Sequence, residues 1–317
     1  MDAKELQKIA TQFADEHDSD VLFYTGPIER PFDIELINKC SSWNKRKNVS
    51  LFLCTFGGDA NAAYRIARSI QQKYEKFTIY ICGPCKSAGT LLAIGANEIV
   101  MSEYGEMGPL DVQLGKKDEI FETDSGLTIL RSIETLEEKA FELFEDCFLK
   151  LKMRSGGRIT LKTASELANS LAIGIMGPIV AQIDPMHIGE VSRAMKIGFE
   201  YGARLSEVSK NTKEDALNTL TYYYPSHGFV IDFPEAQTLF HNVRIPNSDE
   251  NKLIIGLENI VLEPKSETMI LYLSKEKGDI ENESSDKEEH RKEPKVNGGK
   301  LTRTKKTGNP SEGEIAV

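Results

Sequence analysis

The chain has 317 residues, 40% of them hydrophobic and 28% charged, which is the composition of a soluble globular protein with room for one large domain or two small ones. A formal charge of −10 excludes a general grip on nucleic acid, because such binding rests on cationic patches that neutralise phosphates. No nucleic-acid partner is expected.

Residues 1–17 place apolar side chains at helical spacing among Asp, Lys and Glu, which predicts an N-terminal helix and fits neither a signal peptide nor a membrane span. A domain is expected over 20–245, a short β or irregular extension over 246–274, and a charged tail from 275. Within the domain, 21–24 reads as a strand, 33–43 as a helix and 49–54 as a second strand closed by Gly57 and Gly58. Residues 61–74 put Ala63, Ile66, Ala67 and Ile70 on one helical face, 77–82 is a third strand, 88–96 a small-residue helix and 99–101 a brief strand. Strands alternating with helices imply an α/β fold with parallel pairing, and such folds bind ligands at the carboxyl ends of their strands. The Gly pair and the serine of Cys85-Lys86-Ser87-Ala88-Gly89 both fall at such ends.

The chain then turns helical. Residues 133–152 present Leu136, Ala140, Leu143, Phe144 and Phe148 as a face that needs a partner, either the sheet or a neighbouring subunit. Helices follow over 164–171 and 188–201. The stretch 171–183 is the least polar in the chain, but two glycines, a proline and its short length predict a buried helix or loop rather than a membrane crossing. Residues 215–224 lead into the turn Pro225-Ser226-His227-Gly228-Phe229 and a short helix over 234–239, and 253–263 and 268–273 read as small strands. Past Lys275 there are too few apolar residues to offset ordering entropy, so that tail is expected to be disordered and free of catalytic groups.

The five cysteines, Cys40, Cys54, Cys82, Cys85 and Cys147, are odd in number and lie partly in apolar strand patterns, which favours free thiols and a reducing, cytoplasmic setting. Cys82-Gly83-Pro84-Cys85 is the nearest approach to a metal or redox motif, yet no second cysteine pair or histidine cluster follows at ligand spacing, so no metal is expected. By pattern alone, Ser87 reads first as a helix cap, and Gly57-Gly58 as an ordinary tight turn.

Several ordered blocks change that reading: Leu51-Phe-Leu-Cys-Thr-Phe-Gly-Gly58-Asp59, then Lys86-Ser87-Ala88-Gly89-Thr90 with the apolar run to Met101, then Met107-Gly-Pro-Leu-Asp111, Gln182-Ile-Asp184-Pro-Met-His187 and Tyr224-Pro225-Ser226-His227-Gly228. Together, over about residues 20–245, they resemble the serine dehydrogenase proteinase family, a branch of the Clp-protease and crotonase-like fold related to signal peptide peptidase A. The resemblance implies a fold of repeated β-β-α and βαβ units with a helical C-terminal extension. It also implies a serine peptidase that works on protein or peptide substrates as a homo-oligomer, without a transmembrane segment, metal or organic cofactor. Ser87 matches the nucleophile, Gly57 the glycine whose N–H helps hold the oxyanion, and Ala88 the second donor, with Gly58 in support and Asp111 either orienting the base or capping a following turn.

The base is where the chain departs from the Clp pattern, since Tyr104-Gly-Glu-Met-Gly108-Pro109-Leu-Asp111 contains no histidine. His227 stands about where Clp proteases carry an aspartate and becomes the candidate base, suited by a ring that titrates near neutrality. A lysine is the alternative: Lys86, expected to point away from Ser87, or Lys116, Lys117 or Lys139. His187 reads as structural. Two other functions stay open, a non-catalytic interaction protein that keeps the fold and a crotonase-type acyl-CoA enzyme, whose oxyanion is that of a thioester.

Overall fold

The computed structural model describes residues 3–42, 46–110, 113–115, 123–257 and 261–273. The tail from Lys275, like Asp111, Lys116 and Lys117, lies outside them. In chain order the elements are α1 (Ala3–Glu16), β1 (Ser19–Thr25), α2 (Phe32–Ser42), β2 (Asn48–Thr55), α3 (Ala60–Lys73), β3 (Lys76–Cys85), α4 (Ala88–Ile94), β4 (Glu98–Met101), β5 (Glu106–Met107), β6 (Gln113–Gly115), β7 (Thr123–Ser125), α5 (Gly126–Arg154), α6 (Leu161–Val180), α7 (Pro185–Ser209), α8 (Ala216–Asn218), a π-helical turn (Thr219–Tyr223), α9 (Phe233–Leu239), β8 (Val243–Arg244), α10 (Ser248–Gly256) and β9 (Met269–Tyr272).

One sheet runs in the order β8-β4-β3-β2-β1-β9, with β5 continuing beside the end of β3. Every pairing in it is parallel except β1 with β9. This is the α/β architecture that the alternating pattern predicts. The strands alternate between two cores: Leu22, Leu51, Leu53, Ile79 and Ile81 face α2, α3, α4 and α7, while Phe23, Phe52, Tyr80 and Cys82 face α1 and α10. A sheet covered on both faces reads as continuous apolar runs, and β1 to β3 do. All five cysteines are buried free thiols, and burial pushes the Cys54 pKa up to about 12.

Two expectations fail. Residues 253–256 are helical instead of a strand: Asn247 accepts hydrogen bonds from the Asp249 and Glu250 N–H groups, and Glu250 reaches back to the Asn247 N–H, so a reciprocal cap starts α10, while 258–260 lie outside the described residues. The second failure is larger. Residues 171–183 form the end of α6 and the turn after it, yet Leu171, Ile173, Ile175, Ile179 and Val180 are exposed instead of buried. Only the Ala164, Ala168 and Ala172 stripe of α6 is covered, and α6 packs on α5. Among the described residues no single helix is long and apolar enough to cross a membrane.

Candidate active site

The carboxyl ends of β2 and β3 lie side by side, with Thr55 in register with Cys85 and Lys86 N–H donating to the Thr55 carbonyl at 3.0 Å. What leaves each strand is a different turn. After β2 the chain passes through Gly57 at φ 113° and Gly58 at φ 144° before Asp59 caps α3 through the Asn61 N–H. Both conformations suit glycine alone. A Cβ on Gly58 would stand 2.1 Å from the Ile28 carbonyl oxygen, and one on Gly57 would stand 2.8 Å from Ser87 Cβ. The Gly pair is therefore wedged between the loop after β1 and the serine.

After β3 the chain turns into α4 through Ser87, at φ 49° and ψ −111°. That combination lies outside the left-handed well that non-glycine residues tolerate, and such strain persists only when the surroundings impose it. Ser87 occupies the N-cap position of α4 but its side chain makes no capping bond, and its hydroxyl forms no hydrogen bond among the described residues. The residue is half-buried, so it is neither sealed inside nor swinging free. Thr90 holds the first turn of α4 in place, its hydroxyl donating to the Gly108 carbonyl at 2.7 Å.

Three backbone N–H groups border this serine. Gly57 N–H donates to Thr55 Oγ1 at 2.9 Å, so the amide expected to be open to an oxyanion is engaged within its own loop. The N–H groups of Gly58 and Ala88 form no hydrogen bond among the described residues, and Ala88 N lies 3.4 Å from the place a Gly57 Cβ would take. Neighbouring unpaired donors at a helix N-terminus favour negative charge.

His227 is half-buried in a turn closed by the Phe229 N–H donating to the Ser226 carbonyl at 3.1 Å. The following residues return to β5: Met107 and Ile231 exchange both backbone hydrogen bonds, at 2.9 and 3.0 Å. The histidine-bearing segment is thus tied to the strand beside the Ser87 turn, although no hydrogen bond joins His227 to Ser87. On its other side Tyr224 donates to Glu235 at 2.7 Å, and burial followed by that bond pushes the Tyr224 hydroxyl pKa up.

The lysines separate clearly. The buried Lys86 ammonium reaches Glu106 at 3.1 Å and the Met107 carbonyl at 3.0 Å. Lys139 is exposed on α5, and its hydrogen bond to Glu142 pushes its pKa up, the wrong direction for a base. His187 lies at the start of α7, 3.8 Å from Glu190. No group of three His, Cys, Asp or Glu side chains among the described residues could hold a metal ion. Thr55 and Glu106 escaped the sequence reading. The only signal for Thr55 was its place before the Gly pair, and nothing local marked Glu106.

Comparison with known proteins covers the segment that carries this geometry. The family of ClpP-like SDH-type serine proteinases matches residues 20–139. Two uncharacterized proteins of Methanocaldococcus jannaschii are similar, one 31% identical over 31% of this chain and 39% of its own length, the other 32% identical over 26% and 29%. The chain thus spans well under half the length of these relatives. Among solved structures, a 1510-N membrane-bound stomatin-specific protease aligns with 47% of this chain and 67% of its own at 19% identity and TM-score 0.30. The 1510-N membrane protease specific for a stomatin homolog from Pyrococcus horikoshii covers 76% of this chain and 98% of its own at 17% identity and TM-score 0.26. The matched segment carries β1 to β5, the Gly57-Gly58 turn and Ser87, and over that segment the chain is similar to the ClpP-like SDH-type serine proteinases.

Proposed function

We propose that the chain is a serine peptidase that cleaves peptide bonds through Ser87. One observation carries the reading: a strained serine at the N-terminus of α4, with no capping role, set against a Gly pair that only glycine can form. Ser87 Oγ attacks the scissile carbonyl, and its proton passes to His227, the base candidate favoured over Lys86 and Lys139, with Lys116 and Lys117 lying outside the described residues. The tetrahedral oxyanion is held by the Ala88 N–H and by the Gly57-Gly58 turn, where Gly58 offers the open donor. His227 then returns the proton to the departing amine, and water releases the acyl group by the same route. Asp111 keeps its supporting role as part of this proposal. None of these steps requires a metal or an organic cofactor.

On the same reading the substrates are proteins or peptides, the compartment is the cytoplasm and the working form is a homo-oligomer. Five buried free thiols support a reducing compartment, and the exposed apolar residues of α6 support self-association. The test is a fluorophosphonate probe applied to the wild type and to Ser87→Ala. Labelling confined to the wild type is expected, and labelling that survives the substitution, or never occurs, overturns the peptidase.

A second reading has an observation of its own. Among the described residues the Ser87 hydroxyl has no base in hydrogen-bond contact, as in a protein that keeps the fold for interaction and has lost catalysis. Peptide binding without turnover, in a wild type that the probe leaves unlabelled, is its signature.

A further inference from the structure

Lys86 is a cation placed where cations are rare: it is 7% exposed and adjacent in sequence to the serine. An ammonium has three N–H donors and no acceptor capacity, and a buried one needs a partner for each. Lys86 finds three. Its Nζ lies 3.1 Å from Glu106 Oε1, 3.0 Å from the Met107 carbonyl oxygen and 3.4 Å from the Phe229 carbonyl oxygen. The acceptors come from two separate segments, β5 and the turn that carries His227. Gly108 makes room for the lysine stem, because a Cβ there would stand 2.7 Å from Lys86 Cδ. The backbone of Lys86 is fixed as well, its N–H donating to the Thr55 carbonyl at 3.0 Å and its carbonyl accepting from Gly89 N–H at 2.8 Å.

We infer that Lys86 is a positioning residue: its ammonium clamps the Ser87 turn, β5 and the 226–231 segment into one unit, which sets where His227 stands relative to the nucleophile. It touches no reacting atom. The clamp also explains how a half-exposed turn can be placed reproducibly. Two backbone bonds between Met107 and Ile231 fix its far end, and Lys86 bonds the carbonyl two residues beyond His227. The effect on catalysis rests on the peptidase reading above, whereas the clamp itself does not.

The experiment compares the wild type, Lys86→Met and Glu106→Gln in the full chain, using two measurements. One is the pH dependence of fluorophosphonate labelling at Ser87, where Oγ displaces fluoride from phosphorus. The other is amide hydrogen exchange at Phe229 and Ile231, with Phe23 and Phe52 in the central strands as controls. In Lys86→Met, exchange at Phe229 and Ile231 rises at least about tenfold, the least that charge-assisted bonds are worth, while the controls keep their protection. Labelling slows, and its pH profile departs from that of the wild type, because the histidine no longer stands at a fixed distance. Unchanged exchange at Ile231 together with an unchanged pH profile overturns the clamp. If Lys86→Met loosens the central strands too, Glu106→Gln decides, since it keeps the ammonium: a rise confined to Phe229 and Ile231 supports the clamp and no rise overturns it. A wild type that never labels, with exchange that still responds to Lys86→Met, sinks the peptidase and leaves the clamp standing.

Discussion

The ends of β2 and β3 and the α5–α6 layer treat their side chains in opposite ways. At the strand ends everything fits something: Gly57 against Ser87, Gly58 against Ile28, Gly108 against Lys86, and the Thr90 hydroxyl on a carbonyl. In the helical layer, Phe141, Leu171, Ile173 and Ile175 face outward with nothing over them. Leu171 and Ile173 stand about 200° apart at 100° per residue, so α6 is uncovered on opposite sides. The first region is closely packed within one chain, and the second leaves apolar side chains exposed.

The largest expected effect breaks the site half of that contrast. Ser87→Ala should lower peptide hydrolysis about 10⁴-fold or more with no change in melting temperature, because the side chain makes no structural bond. Retained hydrolysis would transfer the reaction to another residue. His227→Gln comes next. Loss of a general base costs about 10²- to 10⁴-fold in kcat, and the remaining rate should follow a different pH profile from the wild type. A variant with the wild-type pH profile would return the base to the lysines. Gly57→Ala, which forces a Cβ within 2.8 Å of Ser87 Cβ, should slow probe labelling by about 10²-fold, the scale of an oxyanion donor put out of line.

What the sequence made legible follows the same division. The sheet region could be read because its rules are local: apolar runs of strand length, turns set by Gly57-Gly58 and Ser87, and helices with one apolar face. Ser87, Gly57 and His227 were therefore placed on the right elements. Contacts across long sequence separation could not be read, and Lys86 with Phe229, or the Gly57 N–H turned to Thr55, depend on them. The error at 253–263 was avoidable, since Asn247 and Glu250 have the spacing of a capping box. The error at 171–183 was not. An apolar stretch says that its surface prefers to leave water, and only the fold, or a second chain, says what covers it.

That gap makes self-association the next test. The wild type is expected to be oligomeric by light scattering after gel filtration, and the double variant Ile173→Lys, Ile175→Lys to be monomeric and still folded. Because both residues are exposed within the chain, the substitutions should change monomer stability by only about 0.5 kcal/mol. A wild type that is monomeric at all concentrations would leave the helical layer without a self-partner.

The smallest effect sharpens the contrast through pH. On the sheet side the buried Glu250 carboxylate meets Arg244 at 2.7 Å and accepts from the Tyr80 hydroxyl at 2.8 Å. Burial alone would raise its pKa, but Arg244, the Asn247 N–H and Tyr80 more than offset it and hold it below the usual carboxylate range. A depressed carboxylate stabilises the fold above its unfolded pKa and loses that contribution as pH falls through the folded one. Glu250→Gln should therefore cost about 1–3 kcal/mol in urea unfolding at pH 7, and the difference from the wild type should shrink as pH falls below the carboxylate range. On the helical layer, Asp146 pairs with Lys150 in solvent, and Asp146→Asn should cost under about 0.5 kcal/mol at either pH. Equal costs for the two substitutions would mean that the sheet's polar groups are no better satisfied than those of the helices, and the contrast between the regions would reduce to apolar exposure alone.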